Sequence, residues 1–241
     1  STTANFFYRF GWLDRLALVG VTLNHQDISG EGVLAGPGPK TRLQGGSHGF
    51  GDPSLTLRVG LIGTPALSGE AWRNYKQGFQ LSAQASWILP YGDYSSARVL
   101  NPGFNRHAID LMLPMVLPID GARRTTFLEF TPQLRLFGSN DDPFGEAARL
   151  EQDELYMAEI HMTHQIKGGW WLALGAQYQN GGATFADGLP RGAELDQWYA
   201  EAALGALIGG RLSVSISYGE IFNQANAARG EVLRFKLGLI L

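Results

Sequence analysis

No cysteine occurs anywhere in the 241 residues, which removes disulfide frameworks, thiolate metal sites and cysteine nucleophiles together. Charge is scarce. Asp, Glu, Lys and Arg make up 17% of the chain, below the roughly 25% of soluble domains. The formal net charge of −3 argues against a nucleic-acid partner, because phosphate backbones require clustered Lys and Arg. Long apolar runs are missing too. The longest, Ala202–Ile208, falls far short of the roughly 18 residues of a membrane-spanning helix. Ser1 opens neither a charged n-region nor an apolar h-region, so the chain reads as a mature or trimmed form.

What remains is glycine, at 32 residues, aromatic residues at 11%, and a pattern. In the last stretch, Leu233, Phe235, Leu237, Leu239 and Leu241 alternate with Arg234, Lys236 and Gly238. Period-two alternation is the strand signal, since successive side chains point to opposite faces of a pleated backbone. The same alternation recurs in segments that begin near Ala4, Arg15, Ser54, Phe79, Ala108, Leu128, Tyr156, Trp170, Gln197 and Arg211. Pro114 and Pro132 are warnings within two of them, because proline cannot donate to a ladder.

Each segment runs for about ten residues, against 5–6 in soluble strands. At about 3.3 Å per residue and a tilt of about 40°, such strands span about 25 Å, the height of an outer-membrane apolar band. Trp170, Tyr178, Trp87, Trp198 and Tyr218 stand at the ends of the apolar faces, where amphipathic rings suit a lipid–water interface. Connections alternate in length. Residues 12–14, 118–123, 167–169 and 209–210 are tight; residues 25–50, 91–106, 138–153, 180–195 and 220–230 are long and rich in Gly, Asn, Asp and Pro. Short turns at one end and long loops at the other are the outer-membrane pattern. The exception is 63–78, long on the short side, with a small helix predicted through Glu70–Tyr75.

The fold expected is therefore all-β: one domain over residues 1–241, a transmembrane antiparallel up-and-down barrel of about 12 strands, 11 of them readable. The first readable strand enters a tight turn, so an even-stranded barrel needs one strand more before it.

The polar faces point inward in this reading. The pore-lining set is Arg9, Arg58, Gln80, Gln84, Asp110, Glu129, Arg135, Glu159, His161, Gln177, Glu201, Arg211, Arg234 and Lys236. Opposed charges there would impose a transverse field that selects solutes by size and dipole; alternatively they pair and fill the lumen. Barrels of eight strands are filled and those of 16–18 hold water, so about twelve lies between.

Other chemistry is weaker. Asp141, Asp142, Glu146, Glu151, Asp153 and Glu154 crowd one long loop, but without an ordered calcium-loop spacing, and a solvated acidic loop is favoured. His161 and His164, three apart on a strand, face opposite ways and share no metal. The glycine-rich stretch from Gly30 to Gly51 has no strand–helix context for phosphates and reads as a flexible external loop, touching lipopolysaccharide or folding inward. A lipid-acting hydrolase would need an activated Ser–His pair at the rim; Ser95 or Ser96 shares a loop with His107, and nothing marks either as activated.

The segments GFGDP (Gly49–Pro53), GTPAL (Gly63–Leu67), PYGDY (Pro90–Tyr94), NPGFNRH (Asn101–His107) and GGATFADG (Gly181–Gly188), in this order and spacing, resemble the outer-membrane transporters of the MetA-pathway of phenol degradation family. The resemblance runs from about Tyr8 to the final strand. It implies a channel for aromatic or other hydrophobic compounds and a further strand before this starting point. Such barrels usually end on an aromatic residue, whereas this one ends on Leu241, with Phe235 as the nearest substitute.

The expected function is passive passage of small solutes across the bacterial outer membrane, with no cofactor, no metal and no catalysis. The partners expected are membrane lipid, lipopolysaccharide, a small-molecule solute, and a second copy or an envelope-complex subunit. The alternative is a structural barrel within a larger envelope assembly, since an open seam accepts a partner strand.

Overall fold

The computed structural model describes residues 1–34, 41–225 and 230–239. The strands are β1 (Thr2–Trp12), β2 (Arg15–Leu34), β3 (Thr41–Phe50), β4 (Ser54–Ile62), β5 (Gln80–Ile88), β6 (Ala108–Met112), β7 (Met115–Pro118) and β8 (Thr126–Phe137). They continue as β9 (Leu150–Gln152), β10 (Leu155–Gln165), β11 (Trp170–Gly181), β12 (Thr184–Ala186), β13 (Leu189–Gly192), β14 (Leu195–Ile208), β15 (Leu212–Ala225) and β16 (Glu231–Leu239). One short helix, α1 (Gly69–Asn74), falls between β4 and β5, where the exceptional connection on the short side predicts it.

The main sheet runs β1-β2-β4-β5-β6-β8-β10-β11-β14-β15-β16. Every expected spanning segment lies on that path, and sheet neighbours follow one another along the chain. This is an up-and-down antiparallel wall of the outer-membrane type. Among the described residues, β1 and β16 each pair on one side only.

Alternation decides which side faces what. The apolar residues buried among the described ones are Ala17, Ala108, Phe127, Leu155, Met157 and Ala206, a set too small to be a conventional core. Meanwhile Leu57, Trp87, Leu111, Leu136, Ile160, Leu174, Leu204, Ile216 and Phe235 all stand exposed on the outer face. Monomeric proteins in water rarely show contiguous apolar patches beyond a few hundred Å². A surface built this way on strand after strand has its apolar solvent outside, as in an outer membrane. At the rim of this band Tyr178 and Trp198 pack with ring centroids 4.9 Å apart.

Turn chemistry closes the short end. Trp12 pairs with Arg15, leaving Leu13 (φ 48°) and Asp14 (φ 60°) in left-handed conformations. Two such residues in succession make the turn whose twist matches the flanking strands.

The two proline warnings meet at one place. The registers of β6 and β7 against β8 are continuous, so the pair is a single strand interrupted at Leu113 and Pro114. Ser82 N donates to Pro114 O (2.9 Å) and Leu113 N to Pro132 O (3.1 Å). Each proline lacks the reciprocal donor, so the break loses one ladder bond on either side.

At the long-loop end the structure departs from the flexible external loop expected over Gly30–Gly51. The stretch from Gly30 to Gly51 is not a featureless loop: β2 and β3 form a ladder from His25↔Phe50 to Leu34↔Thr41. A backbone ladder builds it, and residues such as Gln26 and Asp27, polar on both faces, leave no alternation to read. The tip at 35–40 lies outside the described residues, as do 226–229 in the loop over 220–230. The lipid-facing placement of Leu241 lies outside them too. Strands β9, β12 and β13 form a separate small sheet, ordered β13-β12-β9, within loops expected to be irregular.

Candidate functional site

Ladder register carries the inward face from strand to strand. One row crosses Arg9, Leu18, Arg58, Gln84, Met112, Gln133, Met157, Gln179 and Gln197. A second, nearer the long loops, crosses Phe7, Gly20, Thr56, Ser86, Asp110, Arg135 and Leu155. A third crosses Gln80, Val116, Glu129, His161, Gly175, Glu201 and Gly219. Glu159 and Gln177 pair with each other, as Arg234 does with Ser217 and Lys236 with Ser215, all on the same face. Arg211 is different: it lies in the turn after β14, where its N–H donates to Ile208 O at 3.2 Å.

The inward charges fall into two groups. On the first wall, Asp110 is 5% exposed and takes a two-pronged bond from Arg135, Nε to Oδ1 at 2.5 Å and Nη2 to Oδ2 at 2.7 Å. A planar fork on a carboxylate is the strongest neutralising geometry a side chain offers. Arg58 Nε donates to Gln84 Oε1 at 2.7 Å, and Arg9 lies within its field as a like charge.

On the second wall, His161 contacts Glu159 through Nε2 and Oε1. Arg234 Nη1 reaches Glu201 Oε2 at 2.8 Å and Tyr199 Oη at 3.0 Å. Thr163 Oγ1 donates to Glu129 Oε1 at 3.2 Å. The His161 ring lies over Gly175 and the Tyr199 ring over Gly219, where any Cβ would collide with them. Inward glycines thus make room for large neighbours in a narrow interior.

The outer mouth is where the separate sequence motifs converge. Asp52 is 7% exposed; its Oδ1 accepts from Gly92 N (2.9 Å) and its Oδ2 from Phe104 N (2.8 Å). Asp93 answers it: its Oδ2 accepts from Phe50 N (2.6 Å), while Asp93 N donates to Phe50 O (2.7 Å). The two Gly-Asp dipeptides, Gly51-Asp52 and Gly92-Asp93, clasp each other. A Cβ on Gly92 would sit 2.7 Å from Asp52 N, and one on Gly103 2.9 Å from Asp52 Oδ1. Glycine is required at both by close approach.

Asn140, 3% exposed, ties this knot to the next loop. Its Nδ2 donates to Tyr94 Oη (3.0 Å) and Phe104 O (3.3 Å), and its Oδ1 accepts from Asn105 Nδ2 (2.9 Å). Ser47 Oγ of β3 donates to Leu100 O (2.8 Å). Arg106 lies over the Phe137 ring at 4.8 Å and donates through Nη2 to Gln152 Oε1; burial pushes its guanidinium pKa down and Asp52 pulls it back up. The result is that loop 91–106 folds inward. Pro102 and Phe104 line a cavity of about 590 Å³ together with Arg9, Arg58, Asp110 and Arg135. The loop that narrows the mouth is therefore this one, and the β2–β3 hairpin braces it. Asp52, Asp93, Asn140 and Phe104 were not among the expected site residues; the repeated Gly-Asp was the available signal.

The remaining candidates fall apart in space. His164 Nδ1 bonds Thr126 Oγ1 (2.9 Å), on the face opposite His161. Trp87 Nε1 donates to His107 Nδ1 (3.2 Å), and Ser95 Oγ accepts from Ala97 N (3.4 Å), so these two residues do not address each other. In the acidic loop, Arg149 pairs with Glu151 at 3.0 Å and Asp141 at 3.7 Å. Among the described residues no cluster of His, Asp and Glu has the arrangement of a metal site.

A family model described as "Putative MetA-pathway of phenol degradation" matches residues 5–237. No curated protein matches the chain. A crystal structure of an outer membrane channel from Pseudomonas putida F1 is similar in fold, with a TM-score of 0.75 at 18% identity; the match covers 98% of this chain and 80% of that one.

Proposed function

The chain belongs to the MetA-pathway of phenol degradation family, and on that footing we propose that it is an outer-membrane channel through which small solutes pass passively. The observation that carries this reading is the inward face. Its rows are mainly polar and carry charges of both signs, while the outer face is apolar from strand to strand. Polar inside and apolar outside is the arrangement of a water-bearing barrel. The likeness to a channel supports it, and the family's description supports aromatic compounds as the solutes.

Arg9 and Arg58 stand on β1 and β4; Glu129, Glu159 and Glu201 stand on β8, β10 and β14, several strands round the wall. A solute between them crosses a transverse field, which favours dipolar molecules of a size the mouth loop admits. The mechanism needs no cofactor and no bond making.

Single-channel recording in planar bilayers tests the proposal. Stepwise conductance is expected, with modest selectivity between cations and anions. A purified, folded barrel that never conducts would overturn it and favour the second reading, a structural subunit. That alternative rests on the one-sided pairing of β1 and β16 among the described residues, since an unpaired edge accepts a partner strand.

A further inference from the structure

We propose that the cavity beneath the mouth loop is a binding site for a small aromatic carboxylate. The inference rests on the lumen's being the solute path, and goes beyond it by naming a ligand class and the side chains that select it.

The acids in the cavity wall are already answered: Asp110 by the two-pronged Arg135, Asp52 by the N–H groups of Gly92 and Phe104. The cations are not. Among the described residues Arg9 has neither an ion pair nor a hydrogen bond, and Arg58 meets only the neutral amide of Gln84. Each raises the local positive potential at the other, and the one opposing carboxylate field on Arg58 comes from Glu129, which forms no ion pair with it. Two cations facing one half-enclosed space without a counter-ion favour an anion there.

Shape and lining narrow the class. About 590 Å³ is within the 300–1,000 Å³ of small-molecule sites. Phe7 enters from the β1 side, its ring spread over Gly20, and Phe104 from the loop, with Leu18 and Ile88 also in the lining. A free phosphate would leave those apolar surfaces against a hydrated ion. A neutral phenol would leave the arginines unanswered. A planar ring bearing one carboxylate satisfies both, ring against Phe7 and Phe104 and oxygens on the guanidinium forks.

Benzoate, benzyl alcohol and acetate, titrated into the purified full chain in detergent, test this by calorimetry or saturation-transfer NMR. Benzoate is expected to bind more tightly than either partial mimic. Arg58→Gln and Arg9→Gln are each expected to weaken it by about tenfold, the scale of a lost charge-assisted bond, while Arg58→Lys retains part of the affinity. Phe104→Ala is expected to bring benzoate down towards acetate. Equal binding of benzyl alcohol, or benzoate affinity unmoved in both Gln variants, overturns the site. Conductance separates the two proposals: a barrel that conducts but does not bind benzoate keeps the channel and loses the site. One that binds benzoate but never conducts does the reverse.

Discussion

The wall and the mouth of this barrel are specified in different ways. The wall is a repetition: each residue need only be apolar or polar on the correct face, and neighbouring strands supply the rest through backbone ladders. The mouth is a set of particular contacts, Asp52 to Gly92 and Phe104, Asp93 to Phe50, Asn140 to Tyr94 and Asn105. Exchanging one polar residue for another at a position outside the ion pairs, such as Ser215, leaves the wall's fold intact, whereas at the mouth it removes a specific acceptor. The wall therefore carries insertion and stability, and the mouth carries the aperture.

The largest expected effect breaks the wall by face. Leu204→Lys puts a charge on the lipid side and should cost about 2–4 kcal/mol near the midplane. Ser215→Lys, directly opposite Lys236 on the inner face, should cost no more than about 1 kcal/mol, the scale of a like-charge cross-strand pair. Folding into lipid vesicles, followed by denaturant titration, checks both. Equal losses would mean that the two faces are not distinguished by their solvents.

A smaller effect on stability, and a larger one on conductance, is expected at the mouth. Asp52→Ala removes the acceptor of two backbone N–H groups and should cost about 2 kcal/mol, confined to loop 91–106. The barrel should still insert, with a wider and noisier single-channel conductance. Gly92→Ala attacks the same knot sterically, since its Cβ would meet the backbone at Gly51 and Asp52, and should give the same phenotype. Unchanged conductance in both variants would show that the loop does not set the aperture.

The contrast also explains what could be read from sequence. Period-two alternation is a local signal, so the spanning segments were legible, and with them the common face of the sheet that Arg58, Glu159 and Lys236 share. Pro114 marked the interruption between β6 and β7. Pro132 did not end its strand, because β8 retains its ladder to β10 through Ala158. The mouth was illegible as a structure although its motifs were visible. Asp52 meets Gly92 and Phe104 across 40 and 52 residues, and no local pattern encodes such a meeting. The β2–β3 hairpin was missed for another reason: it stands beyond the apolar band, where neither face is required to be apolar.

The smallest expected effect lies at the opposite rim, where one turn reproduces the mouth's chemistry in miniature. Asp120 Oδ2 accepts from Thr125 N (2.9 Å) and Thr125 Oγ1 (2.6 Å), closing the connection from β7 to β8. The Thr125 hydroxyl, more than the backbone donors, holds the Asp120 carboxyl down from its ordinary 3.8 to about 2. A folded-state value below the unfolded one means stability that is complete above the unfolded pKa and lost as the carboxylate is protonated. The window is thus from about pH 4 down to about pH 2. Asp120→Asn should lower thermal stability slightly at neutral pH, and the gap to the wild type should close across that window. Melting temperatures in detergent from pH 6 to pH 2 read it directly. A gap that persists unchanged at pH 2 would assign the turn's stability to its backbone, with left-handed Gly121 and Arg124, and not to the carboxylate; the rim would then depend on conformation where the mouth depends on charge.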